Sequence, residues 1–198
     1  MESSIRPVTL ADVVGLRRYE EVRDTVRRRI IELKRARRVS VGPDVSFVFE
    51  NHDTVYFQIQ EMLRAERISD IDAVRQEVEV YNALLPAPGE LSATMLIELT
   101  EKERIAERLL SFLGIDEAVR LYVGTTSIQA GFEAGHSKED KLSAVQYVRF
   151  ALPPAERRAF LDPGVPVRLA IDHSNYRAET VLEGRVRASL SEDLRAAR

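Results

Sequence analysis

Hydrophobic and polar residues recur along most of the chain at helix or strand spacing, and the first such pattern is helical. From Thr9, a residue type favoured at N-caps, it extends to about Arg38 with its apolar residues on one side. At 1.5 Å per residue such a helix would be about 43 Å long. We therefore expect residues 9–38 to project from the body or to pack on another subunit, as in a homo-oligomer.

After this helix the pattern changes repeatedly between the periods of strands and helices. Residues 45–50 alternate apolar with mostly polar side chains, and the polar loop 51–53 then leads into a helix capped by Asp53 or Thr54. Ser69 with Asp72 resembles a capping box at the start of the next helix. The predicted strands are 39–41, 45–50, 91–99, 120–123, 126–132, 144–152 and 166–173, and the predicted helices are 54–68, 69–85, 101–113, 153–161 and 177–194.

This order of elements predicts one α+β domain over residues 1–198. We expect the long N-terminal helix and the helical hairpin to pack against a mixed or antiparallel sheet, with a helix at the C-terminus. The sequence shows no internal repeat, low-complexity segment or flexible linker.

Composition excludes several classes of protein. The chain is 44% hydrophobic and 31% charged, as in ordinary globular proteins, and it has no run of about 18 apolar residues that could span a membrane. It has no cysteine, which excludes disulfides, thiolate zinc sites and a cysteine nucleophile. The N-terminus also lacks an apolar stretch of signal-peptide length, so we expect a cytoplasmic protein.

Charge is distributed unevenly. Residues 1–38 contain 11 arginines or lysines against 6 acidic residues, although the whole chain has a net charge of −3. Nucleic-acid binding through this basic helix would need stacking or base-reading groups, but its only aromatic residue is Tyr19. Its apolar face is also small for membrane-surface binding. We therefore predict a solvated helix that packs through its apolar side, and neither nucleic-acid nor membrane binding.

The central helix carries a carboxylate within its apolar stripe. At about 100° per residue, four apolar residues from Val55 to Leu63 share one face, and Glu66 projects from the middle of it. A buried carboxylate is costly unless it is paired, hydrogen-bonded or bound to a cation. We therefore predict that Glu66 is buried and that this helix is the main functional element.

Three further charged residues belong to the same candidate group, although Arg64 points away from Glu66 on the helix. Glu61 and Arg64 lie at i and i+3 and can pair with each other, and Glu77 lies on the next helix. The group is either a buried ion-pair lattice or a carboxylate-rich ligand or metal site, and the sequence leaves both open. No histidine lies three residues after any of these glutamates, which argues against a standard di-iron carboxylate protein.

Two histidines are candidates for chemistry. His173 shares the parity of the apolar residues in the strand 166–173, so we expect it to point inward at the strand end, with Tyr176 nearby for proton transfer. His52 precedes the central helix, where the helix dipole favours a neutral imidazole that could bind a metal. The structural alternatives are a satisfied core histidine and a surface loop histidine. Walker A, G-x-G-x-x-G, G-x-S-x-G and H-E-x-x-H motifs are all missing.

Several segments together resemble an uncharacterised bacterial family, domain of unknown function 3501. The segments are FENHDT at 49–54, QIQEMLRAE at 58–66, ELSATM at 90–95, YVRF at 147–150 and DHSNY at 172–176. The resemblance spans nearly the whole chain, and it implies no established activity, substrate or catalytic residue. Members are often encoded beside rubrerythrin-like and iron–sulfur oxidoreductase proteins, which implies a role in peroxide or redox stress with such partners.

Two functions follow as hypotheses. In the first, the chain is a non-catalytic ligand-binding or accessory subunit of a redox module, with a pocket between the Glu66 helix and the end of the His173 strand. Arg64 would bind an anionic group there. In the second, the chain is a metal-dependent enzyme that holds Fe, Mn or Zn. The ligands would be drawn from His52, Glu61, Glu66, Glu77 and His173.

Overall fold

The computed structural model describes residues 4–99, 105–132, 137–138 and 141–196. The chain folds as an α+β protein, as predicted. The helices are α1 (Leu16–Arg35), α2 (His52–Ala65), α3 (Ile71–Asn82), α4 (Ile105–Leu110), α5 (Pro154–Leu161) and α6 (Gly184–Ala196), with a 3₁₀ turn at Ile115–Glu117. The strands are β1 (Arg38–Val41), β2 (Val45–Phe49), β3 (Glu90–Ile97), β4 (Val119–Val123), β5 (Thr126–Gln129), β6 (Gly131–Phe132), β7 (Ser137–Lys138), β8 (Lys141–Leu142), β9 (Val145–Ala151), β10 (Val167–His173) and β11 (Tyr176–Val181).

The strands form two main antiparallel sheets. The first has the order β1-β2-β3-β9-β6, the second has the order β11-β10-β4-β5, and β7 pairs with β8 in a small hairpin. Every strand pair among the described residues is antiparallel, so the sheet prediction is confirmed in its antiparallel form. Within the described ranges, no helix is both long and apolar enough to cross a membrane.

Two hydrophobic clusters stabilise the fold. The larger one joins inward side chains of the two sheets, such as Phe47 of β2 and Leu121 of β4, with residues of α5 and α6. The smaller one joins α2 and α3 through Val55, Ile59 and Val78. Tyr147 of β9 packs against the smaller cluster. The first sheet therefore has hydrophobic packing on both of its faces.

The first helix is shorter than predicted. α1 begins at Leu16 and has 20 residues, which corresponds to about 30 Å. Thr9 is not its N-cap: the Thr9 amide and hydroxyl both donate to the Asp12 carboxylate, at 2.8 and 2.7 Å, and so form a separate turn. The helix lies along α2, to which it is joined by ion pairs described below.

The C-terminal segment differs most from the prediction. The helix predicted over 177–194 is instead the strand β11 followed by α6. β11 pairs with β10 through a tight turn in which His173 lies opposite Tyr176. Residues 176–181 alternate in burial, and Gly184, with a φ of 53°, is the first residue of α6. The strand period was hidden because it extends over only six residues before the helix.

Candidate functional site

Glu66 is exposed, so the prediction of a buried carboxylate at this position is wrong. The apolar stripe itself exists, since Val55, Ile59 and Leu63 are buried. α2 ends at Ala65, however, and Glu66 is its C-cap residue. The next residue, Arg67, has a φ of 54° and redirects the chain, so Glu66 lies beyond the buried face. The predicted helix extended to residue 68, three residues beyond the end of α2.

Glu61 is paired with α1 rather than with Arg64. Its two carboxylate oxygens accept hydrogen bonds from Arg23 at 2.8 Å each, and one also accepts from the Tyr19 hydroxyl at 2.8 Å. Arg64 donates to Glu20 at 2.8 Å. The Arg23 guanidinium lowers the pKa of Glu61, while burial and the same carboxylate raise the pKa of Tyr19. Glu61 is therefore a structural link between the first two helices.

The acidic residues of the predicted site do not form a closed pocket. Glu61 and Glu66 line an open groove of about 320 Å³ that also contains Lys34 and Phe57. Glu77 is half-buried on α3, where burial and its charge raise the pKa of Tyr81. The structure thus brings Glu61 and Glu66 to one open surface groove rather than to a closed pocket.

His173 points inward, as predicted, and Tyr176 nearby is also buried, but both side chains are satisfied by the backbone. His173 Nε2 donates to the Leu113 carbonyl at 2.9 Å, and its Nδ1 accepts from the Asn175 amide at 3.3 Å. The Tyr176 hydroxyl donates to the Val41 carbonyl at 2.6 Å and accepts from the Asp44 amide at 3.1 Å, and burial raises its pKa. Both ring nitrogens of His173 are engaged, so neither is available as a metal ligand.

The five predicted metal ligands are not assembled into one site. His52 is the first residue of α2, its Nδ1 donates to the Arg6 carbonyl at 3.1 Å, and its ring stacks on Tyr56. His173 packs beside Leu113, whereas the Glu66 helix packs against α1 and α3. In the part of the chain that the structure describes, no three His, Asp or Glu side chains lie close enough to hold a metal ion.

The buried carboxylate of this protein is Glu50, at the end of β2. Its side chain is 3% exposed, and Asp193 is the other buried acid among the described residues. Asp193 is paired with the buried Arg37 at 2.5 Å. Glu50 has no ion pair with any described lysine, arginine or histidine. A buried carboxylate without a cation is unusual, because burial of a charge is normally compensated by pairing.

Three neutral donors hold the Glu50 carboxylate. Oε1 accepts from the Thr94 hydroxyl at 2.6 Å, and Oε2 accepts from Gln58 Nε2 at 3.0 Å and from the Thr54 hydroxyl. Thr54 also closes a capping box with Asn51, the N-cap of α2. These contacts fix the orientation of the carboxylate but do not neutralise its charge.

Glu50 lines a cavity of about 220 Å³ between the outer face of the first sheet and the end of α3. One wall consists of Ala83 and Leu84, and the opposite side is formed by residues of β3, β6 and β9. Arg149 is also in the wall, but it donates to the carbonyls of Leu85 and Ala83 and pairs with Glu90 at 3.1 Å. The cavity therefore has apolar walls, the Glu50 carboxylate without an ion pair, and the Arg149 guanidinium, which is already bound to other groups.

Strand register explains why Glu50 and Arg149 share this cavity. The Glu50 amide donates to the Ser92 carbonyl at 2.9 Å, and Ser92 is the register partner of Arg149. Adjacent strands lie about 4.8 Å apart, so Glu50 and Arg149 are separated by roughly two strand spacings. This gap, with Ser92 at its floor, is the space that a small molecule could occupy.

Comparison with known proteins agrees with the resemblance seen in the sequence. A family model described as Protein of unknown function (DUF3501) matches residues 7–194, nearly the whole chain. The chain belongs to the DUF3501 family. A solved structure, a novel protein of unknown function from Burkholderia pseudomallei K96243, is similar to it with a TM-score of 0.88 and 31% identity. That match covers 96% of this chain and 100% of the other. None of the curated proteins matches this chain.

The segments that carry the DUF3501 resemblance meet around the Glu50 cavity. Glu50 and Thr54 come from the first segment, Gln58 from the second, Thr94 from the third and Arg149 from the fourth. The fifth, residues 172–176, forms the satisfied turn at His173. Sequence reasoning missed Glu50 because it assigned this residue to the polar face of its strand. The signal was the spacing of Thr54 and Gln58, four and eight residues later, which places both on the helix face nearest Glu50.

Proposed function

We propose that this chain is a ligand-binding protein whose site is the Glu50 cavity, and that its ligand is a small molecule with a cationic nitrogen. The observation that supports this proposal most strongly is the buried Glu50 carboxylate, which faces a cavity and lacks a cationic partner among the described residues. An ammonium or amidinium group would supply the missing charge and donate hydrogen bonds at the same time.

The unused acceptor capacity of Glu50 supports a bound donor. A carboxylate has about four acceptor positions. Oε2 receives two hydrogen bonds and Oε1 only one, so one position remains on Oε1. A ligand N–H at that position would complete the coordination of the carboxylate. A charge-assisted hydrogen bond of this kind is roughly twice as strong as one between neutral groups.

The size and walls of the cavity support a small ligand. Its volume of about 220 Å³ is below that of the pockets that hold drug-sized molecules. Leu84 and Tyr147 supply apolar and aromatic surface around the carboxylate. This combination favours a short amine with a few carbon atoms over a nucleotide or an extended cofactor.

The test is a titration of the full chain with ethylammonium, followed by the backbone amide signals in ¹⁵N NMR. Ethylammonium has three non-hydrogen atoms, so its binding free energy is at most about −4.5 kcal/mol, which corresponds to a Kd of about a millimolar. We expect shifts at Glu50, Ser92 and Tyr147 that saturate in this range. Propanol, of similar size but uncharged, should leave these signals nearly unchanged.

Two matched glutamate substitutions provide the controls. Glu50→Gln keeps the shape of the side chain but removes its charge, and it should weaken ethylammonium binding at least about tenfold. Glu66→Gln makes the same chemical change at an exposed position and should have no effect. Equal binding by the wild type and Glu50→Gln, or shifts confined to other regions, would contradict the proposal.

The redox setting is a separate part of the proposed function. The prediction that the chain serves a redox or peroxide-stress module, with rubrerythrin-like or iron–sulfur oxidoreductase partners, rests on the family resemblance. Co-purification of the untagged partners with this chain from its native host is expected if it is correct. The metal-enzyme alternative predicts near-stoichiometric Fe, Mn or Zn in protein purified without added metal. The separation of His173 from the Glu66 helix weighs against that alternative.

A further inference from the structure

A second and larger cavity shares no lining residue with the Glu50 cavity. It has a volume of about 630 Å³ and lies between the end of α5, the base of the β10–β11 hairpin and one face of α6. This volume is typical of small-molecule sites. Its apolar lining consists mainly of Leu161, Pro163, Val165, Val167 and Leu182.

One guanidinium lies in this groove without a carboxylate partner. Arg187 Nε and one Nη donate to the backbone carbonyls of Phe160, Asp162 and Val165, and its Cζ atom lies 4.3 Å from the centroid of the Phe160 ring. No ion pair joins Arg187 to any described acid. Burial lowers its pKa, and the charge of nearby Asp162 opposes that effect. Arg187 is therefore fixed in place while its charge remains mostly uncompensated.

Two further donors continue along the same face of α6. Ser191 and Arg195 follow Arg187 at i+4 and i+8, and all three line the groove. Ser191 is 5% exposed, and it lines the groove. A hydroxyl in this position can donate one hydrogen bond to a ligand. The row Arg187–Ser191–Arg195 thus offers polar donors along one edge of an apolar groove.

The groove has charged residues of both signs in its lining. Glu183 and Glu192 also line it and are exposed at its rim, so the two arginines do not create a strongly positive surface. A phosphate dianion would be repelled by these carboxylates, whereas one carboxylate could sit between the arginine donors. The apolar lining in turn suits a hydrocarbon chain.

We propose that this groove binds a free medium-chain carboxylic acid, with its carboxylate against the Arg187–Ser191–Arg195 row and its chain along the apolar lining. The two ends of such a ligand match the two parts of the groove. This site is independent of the Glu50 cavity, because the two share no lining residue. Either proposal can therefore fail without the other.

The test is a titration of the full chain with octanoate, with octanol and acetate as the two partial probes. Octanoate should shift the amide signals of α6 and of the β10–β11 hairpin. Octanol lacks the charge and acetate lacks the chain, so each should bind at least about tenfold more weakly. Octanol binding as tightly as octanoate, or octanoate shifts located elsewhere, would overturn the proposal.

Substitutions on α6 separate the site from general effects. Arg187→Gln should abolish octanoate binding, but it also removes the contacts to three carbonyls and could prevent folding. Ser191→Val leaves those contacts intact, removes a donor and narrows the groove, and should weaken binding about tenfold. Arg185→Gln is the control, because Arg185 is exposed on the same helix and does not line the groove. Equal losses in Ser191→Val and Arg185→Gln would contradict the site.

Discussion

At the scale of single residues, two buried carboxylates are stabilised in opposite ways. Asp193 is paired with the buried Arg37, which also donates to the carbonyls of Phe49 and Glu50. Glu50 accepts only from neutral side chains. The charge of Asp193 therefore stabilises the fold through its ion pair, whereas the charge of Glu50 is not paired with any cation among the described residues. A buried charge that lowers the stability of the fold and is not compensated by another charge is typical of a functional site.

This contrast predicts different outcomes for one chemical change. Asp193→Asn leaves the Arg37 charge buried and unpaired, and should lower the free energy of unfolding by about 3–5 kcal/mol. Glu50→Gln removes an uncompensated buried charge, and should leave the free energy of unfolding unchanged or raise it by about 1 kcal/mol. Urea unfolding of both variants measures these values. A loss in Glu50→Gln as large as that in Asp193→Asn would show that Glu50 is structural.

At the scale of elements, the two sheets are joined by hydrogen bonds from the turn between β10 and β11. The Tyr176 hydroxyl bonds to the backbone of the β1–β2 turn at Val41 and Asp44. Gly42 in that turn has a φ of 73°, and a Cβ there would collide with the Tyr176 hydroxyl. His173 similarly holds the carbonyl of Leu113. Tyr176 and His173, which were predicted to perform chemistry, therefore stabilise the fold through hydrogen bonds to the backbone of other segments.

Tyr176→Phe tests that role. It removes the hydroxyl and leaves the Val41 carbonyl and the Asp44 amide without this partner, so the free energy of unfolding should fall by about 1–3 kcal/mol. Ethylammonium binding should remain, because Tyr176 does not line the Glu50 cavity. Denaturant unfolding and the NMR titration measure the two effects. Loss of binding in a folded Tyr176→Phe variant would place Tyr176 in the site instead.

The contact between α1 and α2 predicts a dependence of stability on acid. The Arg23 guanidinium lowers the pKa of Glu61 in the folded state. The stability from this interaction is therefore fully present above the unfolded pKa of about 4.3, and it is lost as pH falls through the lower folded value. Unfolding free energies at a series of pH values should decline less steeply below pH ~5 in Glu61→Gln and in Arg23→Gln than in the wild type. An equal decline of the unfolding free energy with falling pH in all three proteins would contradict this prediction.

Local periodicity was sufficient for most elements but not for the site. The pattern predicted the strands of the first sheet, most strands of the second sheet and the helical hairpin, because each depends on residues close in sequence, but it took β11 for part of a helix. It misplaced Glu66, whose exposure depends on where α2 ends, and it missed Glu50. Alternation correctly assigned Glu50 to the polar face of β2. Only the packing of α2 and α3 over that face shows that the face is covered, and such packing is not local information.

At the scale of the whole molecule, the first sheet lies between two hydrophobic clusters. Its inner face joins the second sheet, and its outer face meets the helical layer through Tyr147. All five residues of β2 are buried as a result. The outer face nonetheless carries polar groups such as Ser92 and Thr94 as well as Glu50. The Glu50 cavity is where this polar surface and the helical layer leave a space.

The most direct test is a high-resolution crystal structure of the full chain soaked with ethylammonium. We predict a bound molecule in the cavity between Ser92 and Leu84, with its nitrogen within hydrogen-bonding distance of Glu50 Oε1. The three contacts of Glu50 to Thr54, Gln58 and Thr94 should be retained. An empty cavity at saturating ethylammonium, or Arg149 turned inward to pair with Glu50, would contradict the proposed ligand site.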